Sequence, residues 1–542
     1  MKKQKSKRLA LSMLPILALL IYGIWPLPNT DFTISVDSEK MAYKAAYMQQ
    51  EALLPSTQKL PNIVVILADD LSRQDVSRYG GEHVQTPHID AIGANGVTFT
   101  EAYAASPICA PSRAGLITGR YPQRFGFEIN LHERYPRNRL EYFVFSYLLD
   151  TGNWKVAALQ NWEVPSVAEM QKQGLPPSEF TLAEYLKPLG YQTAAIGKWH
   201  LGFNESAIPN NRGFDYHYGF YEAFSLYAPE DASNIVNQHL TDFSDPHIWK
   251  KGRMGTCAIV RNGEPVQEET YLTNRFAAEA KEWITAHQED PFFIYIPFSA
   301  PHTPFQVTKD YYDQFDQVRS PEKRIYYAMI KALDDAVGSI MEHLKALNLE
   351  ENTLVFFMSD NGGAEYTLAA DNSPLKGGKF SNFEGGINVP FMMQWKGVLP
   401  EGVECNDPVS SLDIFATVAA LTGVGVPTDR TYDGVDLLPY FLTDSLMGKR
   451  PHETLYWRSK YHKAIREGDW KLIRDDMSQK TVLYNLKEDK YEQVDQSAAF
   501  PEVVAQLSLN IKEWESTLMD PAWPRVMDYE ILEGRDTFYF PL

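Results

Sequence analysis

The segment SPICAPSRAGLITGRY, residues 106–121, contains the residue whose chemistry is hardest to place, Cys109. The chain has only three cysteines in 542 residues, and this one stands four residues before Arg113 at the start of a helix-like run. The other residues that could do chemistry are mostly carboxylates, lysines and histidines. A lone thiol among them needs an explanation.

Four short apolar runs along the chain end abruptly in charged or polar residues. The residues at these ends are Asp69 and Asp70, Lys198 and His200, His302, and Asp360 and Asn361. Taken singly each end is ordinary, because Ser-Asp-Asn-Gly-Gly is common turn chemistry and a histidine beside a proline is usually on the surface. Continuous apolar runs, however, are typical of buried parallel strands, whose ligands lie beyond their carboxyl ends. We therefore predict that the four ends gather at one edge of one sheet.

The oxygen-bearing residues among these ends predict a site for a hard divalent cation. Asp69, Asp70, Asp360 and Asn361 offer the oxygens that suit Ca²⁺ first and Mg²⁺ second, and they lack the histidine and cysteine character that zinc prefers. A thiolate is a soft ligand for such an ion, and in an oxidising compartment a catalytic thiol is vulnerable. The simplest interpretation is that Cys109 does not remain a cysteine.

Six motifs in consistent order carry a resemblance to a known family. They are CAPSR with the following AGLITGRYP, then GKWHLG, PHTPF, SDNGG, KGGKFSNFEGG and REGDWKLI. From Pro61 to Tyr440 the chain resembles the type I sulfatases of the alkaline phosphatase superfamily, and REGDWKLI resembles that family's C-terminal subdomain. In that family a maturation enzyme oxidises the cysteine to Cα-formylglycine, whose hydrate supplies an oxygen nucleophile and a metal ligand. The resemblance implies the same for Cys109.

The resemblance also implies a role for each residue at the strand ends. Lys198 and Lys379 are implied to hold sulfate oxygens, and Arg113 to steady the nucleophilic oxygen beside the cation. His302 is implied to protonate the departing alcohol, and His200 to act as a base on the remaining hydroxyl of the hydrate. The implied metal ligands are Asp69, Asp70, Cys109, Asp360 and Asn361. The implied catalytic set is Cys109, Arg113, Lys198, His200, His302 and Lys379.

Some of these residues have other interpretations. Lys198 could be a surface lysine, and Lys376 rather than Lys379 could be the ligand in the LKGGKF loop, although family spacing favours Lys379. The loop glycines could mark flexibility or a close approach of the backbone to an anion. The chain departs from the family pattern at Asn388, where a basic residue often stands. That departure changes the expected charge at the point where the chain leaves the glycine-rich loop. It does not change the expected catalytic residues.

An aromatic-rich stretch from Phe127 to Pro177 follows the predicted catalytic helix. In this position it could fold over the mouth of the site and select substrates. Structural packing is the expected role of most of its residues. The candidates for substrate contact are His132, Arg134, Arg137 and Trp154.

The elements that must position these residues alternate between strands and helices, which predicts an α/β fold. TLAEYLKPLG carries a capping box at Thr181 and Glu184, and the run from Ser320 has apolar residues at helical spacing. The resemblance implies an alkaline-phosphatase-like large sheet, mixed but mostly parallel, flanked by helices. Past about Asp433 short alternating strands predict a smaller C-terminal α+β subdomain with an antiparallel sheet. We assign residues 58–440 to a catalytic domain and 441–542 to this subdomain.

Residues 1–28 have the composition of an export signal. Five cations precede the apolar run Leu9–Trp25. No small-residue cleavage site follows and the run approaches bilayer-spanning length, so a cleaved signal peptide and an uncleaved membrane anchor are both open. We expect an exported protein that is periplasmic, secreted or anchored facing outward.

The net charge excludes nucleic acid as a partner. The full chain carries −19 at pH 7, and without the five N-terminal cations the balance is 46 − 70 = −24, which repels polyanions. An anionic substrate must therefore be attracted by a local cluster of cations. Cys257 and Cys405 could form a disulfide or stay as two free thiols. The sequence does not fix an oligomeric state.

Together these features predict a sulfuric ester hydrolase that removes sulfate from a polysaccharide or oligosaccharide with a formylglycine nucleophile and a calcium ion. The expected partners are the sulfated saccharide and a formylglycine-generating maturation enzyme. The alternatives are an arylsulfatase, a phosphodiester or phosphonate monoester hydrolase of the same superfamily, and a non-catalytic binder of sulfated glycans. The presence of every acid, base and nucleophile position argues against the binder. Export and an aromatic content of 13% favour a sugar over an aryl ester.

Overall fold

The four strands with polar ends lie side by side in a ten-stranded sheet, as predicted. The computed structural model describes residues 15, 17–50, 60–159, 161–443 and 449–542. In chain order the strands of the sheet are β1 (Asn62–Ala68), β2 (Val97–Phe99), β3 (Gln192–Lys198), β4 (Tyr216–Phe220), β5 (Val260–Arg261), β6 (Glu264–Pro265), β7 (Phe292–Pro297), β8 (Thr353–Ser359), β9 (Phe391–Gln394) and β10 (Val403–Cys405). Their order across the sheet is β6-β5-β4-β3-β7-β1-β8-β9-β2-β10.

The sheet is mixed, with a parallel centre. Strands β4, β3, β7, β1 and β8 run parallel to one another, whereas β8, β9 and β2 pair antiparallel. Because the centre is parallel, the carboxyl ends of the four strands that carry the polar residues meet at one edge. The predicted mixed, mostly parallel sheet is confirmed.

The central strands are buried on both faces and feed two hydrophobic cores. In β1, Ile63, Val65 and Leu67 pack into one core, while Val64 and Ile66 pack into the core on the opposite face. This split follows from the pleat of a strand, which sends successive side chains to opposite faces. It also explains why the strand reads as a continuous apolar run rather than an alternating one.

Helices cover both faces of the sheet. Leu272–Ala286 and Pro321–Ala346 pack into one core, and Cys109–Thr118, Leu182–Leu186 and Asp413–Leu421 pack into the other. The long helix begins as predicted, because the Ser320 side chain accepts a hydrogen bond from the Lys323 amide and Pro321 occupies the first turn. Further helices are Ser38–Met48, Pro87–Ala94, Arg139–Phe143, Asp245–Lys251 and Pro501–Glu515.

The C-terminal region contains the predicted antiparallel sheet. Its four strands, in sheet order, are β11 (Thr454–Ser459), β12 (His462–Glu467), β13 (Trp470–Asp475) and β14 (Lys480–Asn485). The helix Pro501–Glu515 packs on this sheet through Leu507 and Ile511. The domain boundary near residue 440 stays a prediction.

A second, smaller sheet at the end of the chain was not anticipated from the sequence. Strands Met527–Glu533 and Asp536–Pro541 form a hairpin, and the first of them pairs with Trp154–Val156. The aromatic-rich stretch is thereby tied to the C-terminal region. This pairing fixes its position over the rest of the molecule.

Only part of the predicted export segment, residues 1–28, lies within the described residues. The five predicted cations, and residues 9–14 and 16 of the apolar run, lie outside the described residues. Residues 17–24 are helical, and no helix in the described ranges is long and apolar enough to cross a bilayer.

Cys257 is buried and Cys405 half-buried, and both are free thiols in the described chain, so the disulfide alternative is wrong.

Candidate active site

The ends of β1 and β8 place their carboxylates side by side. The Asp360 amide donates to Ala68 O at 3.1 Å, so the pairing of the two strands continues one residue past β8. The Asp70 amide in turn donates to Asp360 Oδ1 at 3.2 Å. Asp70 has φ +60°, a left-handed conformation in which aspartate is enriched. Backbone amide hydrogen bonds therefore hold Asp70 and Asp360, which follow two different strands, next to each other.

Cys109 is the first residue of its helix, and its thiol lies against two carboxylates. Sγ is 3.4 Å from Asp69 Oδ1 and 3.7 Å from Asp70 Oδ1. The side chain is buried, and this burial raises the pKa of the Cys109 thiol well above its usual value. A thiol that stays protonated is a weak nucleophile and a weak metal ligand.

Arg113, one helical turn after Cys109, joins three of the strand ends. Its Nε donates to Asp360 Oδ2 at 2.8 Å, its Nη1 donates to Lys198 O at 2.8 Å, and its Nη2 lies 3.4 Å from Asp69 Oδ1. The guanidinium is fully buried. Its fork geometry suits this use, because one rigid group satisfies acceptors in several directions.

Lys198 and Lys379 each bind one carboxylate of the pair that follows β1. Lys198 Nζ donates to Asp69 Oδ2 at 2.6 Å, and Lys379 Nζ donates to Asp70 Oδ2 at 2.8 Å. Both lysines are buried, so the interpretation of Lys198 as a surface residue is wrong. The other candidate in the glycine-rich loop, Lys376, does not lie in this site.

Lys376 contacts the C-terminal region instead. Its Nζ donates to Tyr484 Oη at 3.2 Å and to Glu492 O at 3.3 Å. The family spacing that favoured Lys379 therefore selected the lysine that the fold brings to the carboxylates.

Two histidines lie beside these ion pairs. His302 Nδ1 is 2.6 Å from Thr303 O, which assigns the ring proton to Nδ1 and leaves Nε2 3.7 Å from Asp70 Oδ2. His200 is buried, and neither of its ring nitrogens has a hydrogen-bond partner within the described residues. Burial, together with the nearby lysines, lowers the pKa of both histidines well below the usual value. Both rings are therefore neutral before an anion arrives.

The acidic part of the site fits a hard cation. Ligand atoms of Asp69, Asp70, Cys109 and His302 all lie within 4.8 Å of one another. Asn361 extends this group, because its Nδ2 donates to Asp70 Oδ1 at 2.7 Å while its buried Oδ1 accepts no hydrogen bond from the described part of the chain. A buried carbonyl oxygen without a partner is costly unless an ion or water binds it.

The raised pKa of Asp360 also indicates a cation site. Burial, and repulsion from the neighbouring Asp69, raise the pKa of the Asp360 carboxyl to about 6. A divalent cation beside it would favour the charged form and remove this penalty. All five predicted metal ligands thus lie in one cluster, and His302, predicted as an acid, lies among them.

The glycine-rich loop that carries Lys379 is held by close contacts between backbones. The Lys379 amide donates to Gly363 O at 3.0 Å. A Cβ on Gly362 would lie 1.7 Å from Gly385 O, and one on Gly385 would lie 2.0 Å from Gly377 O, so only glycine fits there. These glycines serve tight packing of one loop on another rather than flexibility.

A buried lysine of the C-terminal sheet clamps this loop, and sequence analysis missed it. Lys471 Nζ donates to Glu384 Oε1 at 2.7 Å and lies 2.9 Å from Glu492 Oε1. All three side chains are buried. The other Glu384 oxygen accepts from Tyr103 Oη and from Asn388 Nδ2, each at 2.9 Å. The one signal in the sequence was the lysine within REGDWKLI, which carried no assigned role.

Of the four expected substrate contacts, Trp154 lies nearest the cluster. Its ring centroid is 5.4 Å from that of Phe380, the residue after Lys379, and 5.4 Å from that of Tyr366. Its Nε1 donates to Asp242 Oδ2 at 2.9 Å. An aromatic wall therefore stands next to the lysine of the glycine-rich loop.

The other three candidates bind neighbouring residues within the aromatic-rich stretch itself. Arg134 and Arg137 both pair with Glu141, and the His132 amide donates to Gln173 Oε1 at 2.9 Å. Their expected part in substrate binding stays a prediction.

Comparison with known sequences identifies relatives over most of the chain. A family model described as Sulfatase matches residues 61–424. Steryl-sulfatase of Rattus norvegicus is 31% identical over 442 residues, covering 70% of this chain and 70% of that protein. N-acetylgalactosamine-6-sulfatase of Rattus norvegicus is 32% identical over 446 residues, covering 79% of this chain and 76% of that protein.

Comparison with solved structures gives the same fold. Ps i-CgsB, crystallised in complex with k-i-k-neocarrahexaose, is 31% identical with a TM-score of 0.71, covering 86% of this chain and 95% of that chain. The PsFucS1 sulfatase from Pseudoalteromonas sp. is 24% identical with a TM-score of 0.62, covering 90% and 97%, and shares the fold.

The buried contacts of Lys471 predict that its substitution lowers the free energy of unfolding far more than substitution of an exposed lysine in the same sheet. Lys471→Met leaves Glu384 and Glu492 buried without their cation and is expected to lower the free energy of unfolding by about 3–5 kcal/mol. Lys480→Met, in the neighbouring strand, removes a half-exposed pair with Asp536 and is expected to cost less than about 1 kcal/mol. Urea denaturation of the two variants measures both values. Equal losses would show that Lys471 is not a clamp.

Proposed function

The chain belongs to the sulfatase family and is a sulfuric ester hydrolase, and on this basis we propose that it removes sulfate from a sulfated carbohydrate. The nucleophile in this proposal is Cα-formylglycine made from Cys109, and the cation is Ca²⁺. One observation carries the proposal. The helix start at Cys109 lies against two carboxylates that are themselves held by two lysines, in one buried cluster.

Two comparisons support a carbohydrate as substrate. N-acetylgalactosamine-6-sulfatase is named for a sulfated sugar, and Ps i-CgsB was crystallised with a neocarrahexaose. The name steryl-sulfatase points to another class of ester, but the N-acetylgalactosamine-6-sulfatase alignment covers 79% of this chain, against 70% for the steryl enzyme at nearly the same identity. The aromatic wall of Trp154 and Tyr366 suits the apolar face of a sugar ring.

The residues present fit both the ion and the modified cysteine. Asp69, Asp70, Asp360 and Asn361 would hold a hard cation, since they offer oxygen atoms only. When bound, the cation neutralises charge on the sulfate group, and the hydrated aldehyde at position 109 supplies an oxygen nucleophile. Arg113, one helical turn from position 109, would hold Asp69, Asp360 and the end of β3 in register through its three contacts.

The ion pairs described above indicate how the lysines come to bind substrate. Lys198 and Lys379 donate to Asp69 and Asp70, whose oxygens are also the proposed ligands of the cation. A divalent ion held by those oxygens would weaken the attraction between the carboxylates and the two ammonium groups. Lys198 and Lys379 would then donate to the anionic oxygens of a sulfate ester.

His302 would supply the proton to the departing alcohol. Its Nδ1–H donates to Thr303 O, so the nitrogen that faces the site is Nε2. Burial and the neighbouring lysines lower the pKa of the free ring, and the negative charge of a bound sulfate ester would oppose the effect of the lysines. The ring would therefore gain its second proton together with substrate and give it to the bridging oxygen.

His200 would act as the base in the second half of the reaction. Burial, together with the charges of Lys198 and Arg113, lowers the pKa of its imidazole. The ring is therefore neutral, with a nitrogen lone pair that can accept a proton. Its two unpartnered ring nitrogens leave it available for a hydroxyl at position 109. By accepting that proton, His200 would favour release of sulfate and the return of position 109 to the aldehyde.

The first experiment tests the function and the nucleophile together. The protein, made with a formylglycine-generating enzyme, is expected to release sulfate from at least one member of a panel of galactan and glycosaminoglycan oligosaccharides. Matched phosphate esters are expected to be turned over far more slowly. Cys109→Ala is expected to lose about 10⁴–10⁶-fold in kcat, the scale on which loss of a nucleophile acts in hydrolases. Ion chromatography of released sulfate measures both.

Mass analysis of the tryptic peptide that contains residue 109 provides the companion readout. Conversion to formylglycine replaces sulfur and two hydrogens by one oxygen, so the peptide becomes lighter. An active preparation in which that peptide carries only an intact thiol would refute the nucleophile.

A second experiment tests the cation. Exhaustive chelation is expected to abolish sulfate release and to lower the Tm, because three buried carboxylates lose a counterion. Addition of Ca²⁺ is expected to restore both, with Mg²⁺ less effective because of its stricter octahedral geometry. A chelated enzyme with unchanged Tm and activity would refute a metal site.

A third experiment tests His302 as the acid. His302→Ala is expected to lower kcat/KM for a sugar sulfate by about 10²–10⁴-fold, the usual contribution of general acid catalysis. The loss for nitrophenyl sulfate is expected to be much smaller, because nitrophenolate leaves without a proton. His343→Ala, on the helix Pro321–Ala346, serves as the control. Equal losses on both substrates would argue against the acid role.

A further inference from the structure

The exposed apolar side chains of this protein are concentrated in one place. In the described ranges 28 large apolar residues are exposed, and 13 of them lie in residues 17–25 and 140–162. Scattered apolar residues on a surface need no explanation, but a contiguous group marks an interaction site. The members in the second segment are Leu140, Phe143, Tyr147, Leu148, Leu149 and Trp162.

The two segments form one surface because they touch. A Cβ on Gly23 would lie 3.5 Å from Leu140 Cβ. The Arg139 guanidinium stands 4.4 Å from the ring centroid of Tyr22 and 5.8 Å from that of Trp162. The N-terminal helix thus leads directly onto the helical stretch of residues 139–148.

We propose that residues 140–149 and Trp162 form, with residues 17–25, a docking surface that rests on a lipid bilayer. This surface is additional to the reaction proposed above and does not depend on it. It would hold the folded body against the membrane, and not only the N-terminal segment.

The composition of the surface favours a bilayer over a protein partner. Tyr22, Trp25, Tyr147 and Trp162 are the amphipathic aromatics that concentrate at membrane interfaces. Arginines suited to lipid head groups flank them, since Arg137 is 74% exposed and Arg134 46%, and Glu141 balances only one of their two charges. These basic residues stand out on a chain whose net charge is −19.

The sequence on the N-terminal side gives the second argument. The helical residues 17–24 are the end of the apolar run Leu9–Trp25, which begins directly after the cluster of five cations. A cationic stretch followed by an apolar run inserts into membranes. The second segment touches the end of that run, so a bilayer that receives the run would also meet residues 140–149.

The docking surface lies beside the mouth of the site. Phe145 packs on Phe243, with ring centroids 5.9 Å apart, and the preceding residue, Asp242, accepts the hydrogen bond from Trp154. Docking would therefore set the orientation of the aromatic wall relative to the membrane surface.

Photo-crosslinking to lipid tests the proposal on the full chain. The protein is reconstituted into vesicles of phosphatidylethanolamine and phosphatidylglycerol with a trace of a diazirine-tailed phosphatidylcholine, irradiated and digested. Lipid adducts on the peptide of residues 140–149 are expected to exceed those on residues 424–442 by about tenfold. That control peptide also carries exposed apolar residues, Val424, Val426 and Leu442, with exposures of 36–46%.

A triple variant makes the test sharper. Phe143→Ser, Tyr147→Ser and Leu148→Ser together are expected to remove the adducts on residues 140–149 and leave those on residues 9–25. Sulfate release from a soluble saccharide is expected to stay unchanged, because none of the three residues touches the site. Adducts confined to residues 9–25 in the wild-type chain would overturn the proposal. A crosslink between two copies of the chain through residues 140–149 would overturn it equally.

Discussion

Charge balance inside a buried space is the constraint on which the site depends. Three carboxylates and three cations are brought together with almost no exposure to solvent; they are Asp69, Asp70, Asp360, Arg113, Lys198 and Lys379. Removing one member of such a set leaves an unpaired buried charge, which costs several kcal/mol. In the proposed reaction the same groups would bind an ion and an anionic ester, so the ion pairs of the free protein would exchange partners. A neutral cluster is what allows both additions without a large net charge.

The fold meets this constraint by combining one rigid edge with one fitted loop. The parallel centre of the sheet sets the carboxylates after β1 and β8 through backbone hydrogen bonds, which leave little freedom. Lys379 arrives on the glycine-rich loop, where close backbone packing replaces secondary structure. The C-terminal sheet then holds that loop through Lys471. The C-terminal sheet thus helps to position the Lys379 ammonium group beside Asp70.

The sequence predicted the strand ends well because their signal is local. An apolar run followed by Asp69 and Asp70, or by Asp360, specifies a buried strand and what comes directly after it, and sheet geometry supplies the rest. Resemblance to a family was needed to choose between Lys376 and Lys379, since both stand in one loop and only the fold decides which reaches the carboxylates.

The parts that the sequence missed are those decided by distant pairing. Lys471 stands in a strand whose alternating pattern is typical of a solvent-facing lysine, and only the approach of Glu384 from the loop and of Glu492 from beyond β14 makes it a buried ion. The pairing of strand Met527–Glu533 could not be predicted either, because its partner strand Trp154–Val156 lies in the aromatic-rich stretch early in the chain.

That last pairing has a consequence for how the enzyme is assembled. Asn153 and Tyr529 are hydrogen-bonded although 376 positions separate them, and contacts of such long range form slowly. During synthesis the aromatic-rich stretch is made early but waits for the final hairpin before it has a fixed place. The hairpin also packs in one hydrophobic cluster with Ile108 and Phe380, the neighbours of Cys109 and Lys379, so the glycine-rich loop depends on the same late step. The fixed position of Trp154 is thus among the late features that the growing polypeptide acquires, and trimming of the tail would remove the strand that holds it.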